Sequence, residues 1–305
     1  MQAKFSGHET FPLRYGWLYK LANYVNSKDK LPSTSKLEAP QSIVELGVGK
    51  NMVDSICYWG KMCGVVNENE LTAFGKYLFS EGSLNSARDP YLEKKSSIWL
   101  IHYLLNRDLS SLTAYRFFYN FSALQHFEKS ILLRECIKKS EKLVSNSLFN
   151  EATLKKDIDC FLLNYCGKRK ASGKKNIINE DDFVSPLSEL NLVADLGNGN
   201  YSSELTERPD LATEVFIFAL AEFFKQETKI SKREVINFET ILKEPGSPGR
   251  IFRLSANGLG YKLDEACELT TGISWVEGAN SREIKVDKNI TEAGITLLSK
   301  SFYGV

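Results

Sequence analysis

The chain has 305 residues, of which 43% are hydrophobic and 25% charged, and its formal net charge is +1. These values are ordinary for a globular protein that is long enough for two domains or one large one, and they exclude a polycation. A nucleic-acid-binding protein of this net charge must therefore concentrate its positive charge locally.

The cysteines and histidines predict neither disulfides nor a metal site. The six cysteines form no C-x-x-C pair, and the three histidines lie far from such pairs, so we expect reduced thiols and no zinc, metal ion or other cofactor. The N-terminus lacks an apolar signal-peptide core, and no run of about 18 apolar residues occurs. We therefore expect a cytoplasmic protein without a membrane segment.

The first segment opens with the aromatic-rich stretch FSGHETFPLRYGW and continues with the apolar spacing of a helix. Pro12 follows too soon for a long helix that would present a second metal ligand one turn after His8 and Glu9. We expect a capping or buried hydrogen-bonding role at His8 or Glu9. His102 and His126 are expected to be core histidines.

Residues 42–66, SIVELGVGKNMVDSICYWGKMCGVV, predict a helix, a tight turn, a second helix and the start of a wing. Apolar or small residues fall where the two helices would pack, and Gly47 and Gly49 bracket the turn, where a positive φ favours glycine. The second helix would begin near Lys50 and expose one polar face. The residues of that face are Lys50, Asn51, Asp54, Ser55, Tyr58 and Lys61.

This polar face resembles a recognition helix in a DNA major groove, with hydrogen-bond donors near its N-terminus and an apolar back. Lys50 and Asn51 are the best candidates for base or phosphate contacts, whereas Tyr58 and Lys61 would contact backbone phosphates. Asp54 is unfavourable beside phosphate unless it accepts a hydrogen bond from a cytosine amino group. The alternative is that the unit serves only for packing or as a dimer interface.

Residues 86–166 predict a helical domain with strongly apolar segments, followed by a glycine-containing basic linker at 167–179. Within the linker, Lys168, Arg169 and Lys170 are candidates for an electrostatic clamp on DNA phosphates. The alternative interpretation is a solvated linker without a ligand.

Residues 180–305 predict a C-terminal α+β domain. Its elements include a hairpin with the turn Gly197–Asn200, which resembles a second wing, and a helix that contains Val235. A structural turn, a strand at Ile251–Leu254 and a closing hairpin that turns at Gly278–Asn280 would follow.

Together these patterns predict a mainly α protein with small β-hairpins. We divide it into a winged helix-turn-helix domain at 1–85, a helical domain at 86–166, the linker at 167–179 and the α+β domain at 180–305, a candidate for further winged-helix units. No phosphate loop, dinucleotide-binding motif, nucleophile elbow or catalytic triad is visible. We therefore expect a protein that is not an enzyme.

The opening F-S-G-H-E-T-F-P-L-R-Y-G-W-L and several later stretches resemble one uncharacterised bacterial family, the domain of unknown function DUF4007, along almost the whole chain. The later stretches are LGVGKNMV at 46–53, DPYLEKKSSIWLIHYLL at 89–105, TLKKDIDCFLLNY at 153–165, SPL at 185–187 and SPGRIFRLS at 247–255. Family members are typically encoded in prokaryotic defence islands, often beside genes resembling phosphoadenosine-phosphosulfate reductases. The resemblance therefore implies an anti-phage or DNA-modification-linked role, and it brings no catalytic residues.

The sequence thus supports two functional hypotheses of different classes. In the first, the chain is a DNA-binding recognition or regulatory subunit of a bacterial defence system, with double-stranded DNA as its partner. In the second, it is a scaffold that docks a reductase-like or ATPase subunit of that system without touching DNA. A homodimer, and a nuclease or modification enzyme with a dispersed site, are weaker alternatives.

Overall fold

The computed structural model describes residues 1–79, 88–144, 150–166, 184–231, 235–278 and 282–298. These residues are mainly helical with small β-sheets, which confirms the predicted fold class at this level. The chain forms two compact units. The first contains residues 1–105, 110–115 and 124–203, and the second contains residues 106–109, 116–123 and 204–305. The predicted four-part division follows other boundaries and remains a prediction.

The first unit begins with a short strand and three helices. The strand β1 (Gln2–Ala3) is followed by α1 (Trp17–Lys28), α2 (Ala39–Leu46) and α3 (Lys50–Met62). An antiparallel hairpin and a short helix come next, namely β2 (Val66–Asn67), β3 (Glu70–Leu71) and α4 (Ala73–Phe79). The helix α3 begins at Lys50, as the sequence predicts.

Four helices and two further strands follow in chain order. They are α5 (Lys95–Arg107), β4 (Ser111–Leu112), α6 (Ala114–Phe121), β5 (His126–Glu128), α7 (Lys129–Leu143) and α8 (Glu151–Cys166). The end of α5 and most of α6 belong to the second unit. A 3-10 helix at Pro186–Leu190 precedes the hairpin β6 (Ala194–Gly197) and β7 (Asn200–Ser202). The strand β4 pairs in parallel with β1. The strands β5, β6 and β7 form a three-stranded sheet in the order β5-β7-β6.

Aromatic side chains form the core of the first unit. The fully buried ring of Tyr115 contacts Trp59 edge-on at a centroid distance of 5.5 Å and Phe161 at 5.8 Å. Edge-to-face contacts of this kind are favourable beyond the area that they bury. Since Trp59 lies on α3 and Phe161 on α8, the start of α6 joins these two helices.

The second unit consists of a long apolar helix, a three-stranded antiparallel sheet and shorter helices. In chain order it contains α9 (Thr213–Ser231), β8 (Val235–Asn237), α10 (Phe238–Lys243), α11 (Pro248–Ile251), α12 (Ala256–Leu269), β9 (Ile273–Glu277), β10 (Arg282–Val286) and α13 (Lys288–Ala293). A 3-10 helix at Gly294–Leu298 is the last element of the described residues, and the strand order is β8-β10-β9.

Two predicted hairpins are confirmed. The turn at Gly197–Asn200 joins β6 to β7, with positive φ at Gly197, Asn198 and Gly199. The closing hairpin joins β9 to β10 through antiparallel pairs from Arg282↔Glu277 to Val286↔Ile273. The first follows from local turn residues that accept a positive φ, and turn residues 279–281 of the second lie outside the described residues.

Three segments differ from the sequence prediction. A strand interrupts the predicted helical run at Phe127, whose ring stacks on Tyr201 of the paired strand at a centroid distance of 5.7 Å. Val235 lies in a strand rather than a helix, because its neighbour Ile236 is buried opposite Ile284. The predicted strand at Ile251–Leu254 is instead the end of α11 and a turn, in which Arg253 has a φ of 52°.

No helix in the described ranges is both long enough and apolar enough to cross a membrane.

Candidate nucleic-acid interface

The link between α2 and α3 is only three residues long. Gly47 ends α2 in the left-handed conformation, with a φ of 64°, and its N–H donates to the carbonyl of Ile43 at 2.9 Å. Gly49 is the N-cap of α3 and has an extended conformation. A left-handed C-cap is a position that favours glycine, so the sequence itself determines this turn.

Packing fixes the orientation of α3 through its inner face. Val53, Ile56 and Trp59 are fully buried, and Trp59 also donates its indole N–H to the carbonyl of Phe11 at 3.1 Å. A Cβ at Gly60 would overlap the side chain of Leu21 on α1. Only glycine therefore permits α1 and α3 to approach this closely, and α3 has one defined rotation about its axis.

This rotation leaves three of the predicted contact residues exposed. Lys50 and Asn51 form the first turn of α3, and Lys61 lies in its last turn. Asp54 is half-buried and accepts a hydrogen bond from the Thr34 hydroxyl at 2.7 Å. The outward face therefore carries two lysines and one amide, and its carboxylate is engaged by a neighbouring hydroxyl.

The prediction that Ser55 and Tyr58 also lie on this exposed face is wrong, because both are buried. Ser55 lies one turn before Trp59 and shares its inward direction. Tyr58 is covered by the N-terminal loop, since the ring of His8 lies edge-on at a centroid distance of 5.6 Å and a Cβ at Gly7 would lie 2.7 Å from Tyr58 Cδ2. Neither side chain is available to a phosphate.

The N-terminus of α3 is an additional feature that the sequence analysis did not identify. Gly49 has no side chain to cap the first turn, and among the described residues no side-chain hydrogen bond caps it. A Cβ at Gly49 would have no atom of the described residues within 4 Å, so the space around it is open. Uncapped N–H groups at a helix start, together with the helix dipole, form a site that attracts anions. A glycine at the N-cap, where Ser, Thr, Asp or Asn is preferred, is the signal that could have indicated it.

The helix α12 of the second unit offers the contrasting surface. Its N-cap, Ser255, accepts the N–H of Gly258 on its hydroxyl at 3.0 Å, so its first turn is capped. Lys262 is buried and paired with Glu265 at 2.8 Å. The exposed residues of this helix are Ala256, Asn257, Tyr261, Asp264, Glu265, Glu268 and Leu269. The outer face of α12 is therefore acidic.

The motif at the start of the chain has a structural role. His8 is buried, accepts the N–H of Thr10 on Nδ1 at 3.0 Å and places Nε2 3.1 Å from Asp157 Oδ1. Burial raises the pKa of Asp157, and its contacts with His8 and the Ala114 N–H oppose this rise. The predicted buried hydrogen-bonding role is confirmed for His8, whereas Glu9 is exposed.

The two other histidines differ from each other. His102 is fully buried and places Nδ1 2.7 Å from the Tyr165 hydroxyl, which confirms the predicted core histidine. The same prediction is wrong for His126, which is exposed. The strand β5 buries Phe127 and turns its two neighbours outward.

The sequence also led to predictions on the basic linker residues, a metal site and the cysteines. Lys168, Arg169 and Lys170 lie outside the described residues. Within the described ranges, no group of three or more His, Cys, Asp or Glu side chains could hold a metal ion. All six cysteines are free, and burial raises the pKa of Cys57 on α3 to about 11.

Comparisons with known proteins agree with this fold. The family model described as "Protein of unknown function (DUF4007)" matches residues 5–302. Two crystal structures of SspB, one of them magnesium-bound, superpose with TM-scores of 0.81 and 0.80 at 23% sequence identity. Each superposition covers 99% of this chain and 88% of the SspB chain. The chain has no match among the curated proteins.

The family match covers nearly the whole sequence, and the chain therefore belongs to the DUF4007 family. At 23% identity, the similarity to SspB shows a shared fold.

Proposed function

We propose that this protein binds double-stranded DNA through a winged helix-turn-helix formed by α1, α2, α3 and the β2–β3 hairpin. The observation that carries the proposal is the exposed and uncapped N-terminus of α3. There Lys50 and Asn51 directly follow Gly49, and the space around Gly49 is open. Winged helix-turn-helix proteins place the second helix of the pair in the major groove and contact base edges with its N-terminal residues.

The order of elements supports the same interpretation elsewhere in the chain. The series β5, α7, α8, β6 and β7 places the first strand beside the last strand of the hairpin. The series β8, α10, α11, α12, β9 and β10 has the same order, with β8 paired to β10. A strand, two or more helices and a hairpin in this arrangement are typical of a winged-helix unit, so we propose that the chain contains two further units of this fold.

Each exposed residue of α3 has a role in the proposed complex. Asn51 has an amide that pairs with the N6 and N7 edge of adenine, and a bidentate contact of this type discriminates against wrong bases by about 1–3 kcal/mol. Lys50 contacts a base edge or a phosphate, and Lys61 contacts backbone phosphate. The free N–H groups of the first turn bind a phosphate oxygen beside them.

The cellular role in this proposal follows from the family. Because DUF4007 proteins are typically encoded in defence islands, we propose a recognition or regulatory subunit of a cytoplasmic bacterial anti-phage system linked to DNA modification. In this role the chain is not an enzyme and requires no cofactor, and a phosphoadenosine-phosphosulfate-reductase-like protein acts beside it.

A second function is favoured by one specific surface. The acidic face of α12 repels phosphate, and the exposed fraction of Tyr261 on that face is 57%. Exposed tyrosines of this kind are frequent in protein–protein interfaces. Under this alternative, the chain is a scaffold that docks an enzyme subunit of the same system and does not bind DNA.

Fluorescence anisotropy with a labelled duplex over a salt series separates the two functions. We expect the wild type to bind with an affinity that falls steeply with salt, and the variant Lys50→Ala/Asn51→Ala to bind at least 10-fold more weakly. The control variant Asn257→Ala/Tyr261→Ala changes the corresponding helix of the second unit and should bind as the wild type does. Absence of binding by folded wild-type protein at low salt would overturn the DNA proposal and favour the scaffold.

A further inference from the structure

The helix α7 carries a line of exposed positive charges that is separate from α3. Arg134, Lys138 and Lys142 follow one another at intervals of four residues, and all three are exposed. The opposite face of α7 contains the buried residues Leu132 and Cys136. The three cations, which we name the α7 stripe, therefore lie along one outward face of a helix that is anchored by its inner side.

None of the three cations of the α7 stripe forms an ion pair with another described residue. Other lysines of this region are paired, since Lys139 contacts Glu135 at 2.8 Å and Lys129 contacts Asp159. The ion pairs of α7 therefore do not neutralise the positive charge of the stripe. The exposed Glu141, adjacent to Lys142, is the one carboxylate of α7 that lies beside it without such a pair.

The helix α8 adds two further exposed positive charges. Lys155 and Lys156 in the first turns of α8 are exposed, and neither is paired with a described residue. The buried part of α8 begins with Leu154 and continues from Asp157. The exposed surface of α7 and α8 is therefore positive in a protein whose formal net charge is only +1.

The α7 stripe is long enough to contact about three consecutive phosphates of one DNA strand. Residues four apart on a helix are separated by about 6 Å along its axis, so the stripe spans about 12 Å. Double-stranded DNA carries a phosphate about every 3.4 Å along each strand, and cations that neutralise these phosphates release condensed counterions. Contacts of this kind position a protein on DNA without reading the sequence.

We propose that the α7 stripe is a second DNA contact surface, which binds backbone phosphates independently of base sequence. This inference rests on the proposed function in one respect, namely that the ligand is double-stranded DNA. The stripe supplies affinity and salt dependence, whereas α3 supplies base contacts.

The test compares two variants that lose the same charge. The first is Arg134→Gln/Lys138→Gln/Lys142→Gln. The control is Lys225→Gln/Lys229→Gln/Lys285→Gln, which removes three exposed cations from the second unit. Circular dichroism verifies that both fold, and anisotropy measures binding to two duplexes of unrelated sequence between low and moderate salt.

We expect the slope of log K against log salt concentration to become shallower by about 2.7 in the stripe variant, which is three phosphates at about 0.9 each. The stripe variant should lose the same factor in affinity for both duplexes, and the control variant should keep the wild-type slope. Equal slopes for the two variants, with the wild type still binding, would overturn the stripe and leave the α3 proposal standing. Absence of binding by the wild type would overturn both proposals.

Discussion

The helices α3 and α12 occupy corresponding places in their units, each followed by an antiparallel hairpin, yet their surfaces are opposite. The helix α3 starts at an uncapped glycine and exposes Lys50 and Asn51. The helix α12 starts at a serine that caps it and exposes Asp264 and Glu268. A shared order of elements therefore does not determine a shared surface chemistry, because the residue at the N-cap and the charge of the outer face differ between the two helices.

The difference is electrostatic in two ways that reinforce each other. A helix N-terminus carries about half a positive charge, and this charge remains available to an anion only where no side chain already binds the N–H groups. In α3 the charge of Lys50 in the first turn adds to the dipole, whereas in α12 the Ser255 hydroxyl occupies the site and the exposed charges further along the helix are negative. Three pairs of matched variants test this contrast.

The largest effect should come from breaking the support of α3. The variant Gly60→Ala places a methyl group against Leu21, so we expect it to destabilise the fold by about 1–3 kcal/mol through overpacking. The matched variant in α12 is Gly260→Ala, where a Cβ would meet no atom within 4 Å. It should be neutral or stabilising by up to about 1 kcal/mol, because alanine favours helix. Urea unfolding measures both, and equal destabilisation would contradict the packing argument.

The second effect should come from exchanging the caps. The variant Gly49→Ser gives α3 a hydroxyl cap of the kind that Ser255 provides in α12. We expect about 3- to 10-fold weaker DNA binding with unchanged or slightly higher stability, because the hydroxyl competes with phosphate for the N–H groups. The reverse variant, Ser255→Gly, should lower stability by a few tenths of a kcal/mol and leave DNA binding unchanged. Anisotropy and thermal unfolding give both values, and tighter binding by Gly49→Ser would contradict a phosphate at this turn.

The smallest effect should come from neutralising one carboxylate on each helix. Asp54 accepts a hydrogen bond from Thr34 at 2.7 Å, and Asp264 accepts one from the Trp275 indole at 2.9 Å. Asparagine preserves an acceptor at either position, so only the charge changes. Asp54→Asn should tighten DNA binding by about 2- to 5-fold at low salt by removing repulsion of phosphate. Asp264→Asn should have no effect, and equal tightening by both would indicate only a general charge effect.

The sequence was informative where the determining contacts are local. The turn between α2 and α3 depends on Gly47, whose left-handed conformation follows from its own position in the chain. The hairpin at Gly197–Asn200 has the same local origin. These elements were predictable because residues within a few positions of one another fix them.

The candidate site could be predicted only in part, because distant segments cover some of it. The exposure of Lys50, Asn51 and Lys61 follows from helical periodicity, but the burial of Tyr58 depends on a loop some fifty residues earlier in the chain. The strand at Phe127 was not predictable either, since its partner Tyr201 lies far along the sequence. Helical periodicity within α3 contains no information about such partners.

The N-terminal loop also has a consequence for biosynthesis. Two of its contacts are on α8, where Asp157 faces His8 and Asn164 accepts the N–H of Leu13 at 3.0 Å, a sequence separation of 151 residues. At about 5–20 residues per second, the ribosome needs about 8–30 s to produce that helix after the loop has been made. The loop is thus made well before the helix that provides these two contacts, and during that interval a nascent-chain chaperone has access to it.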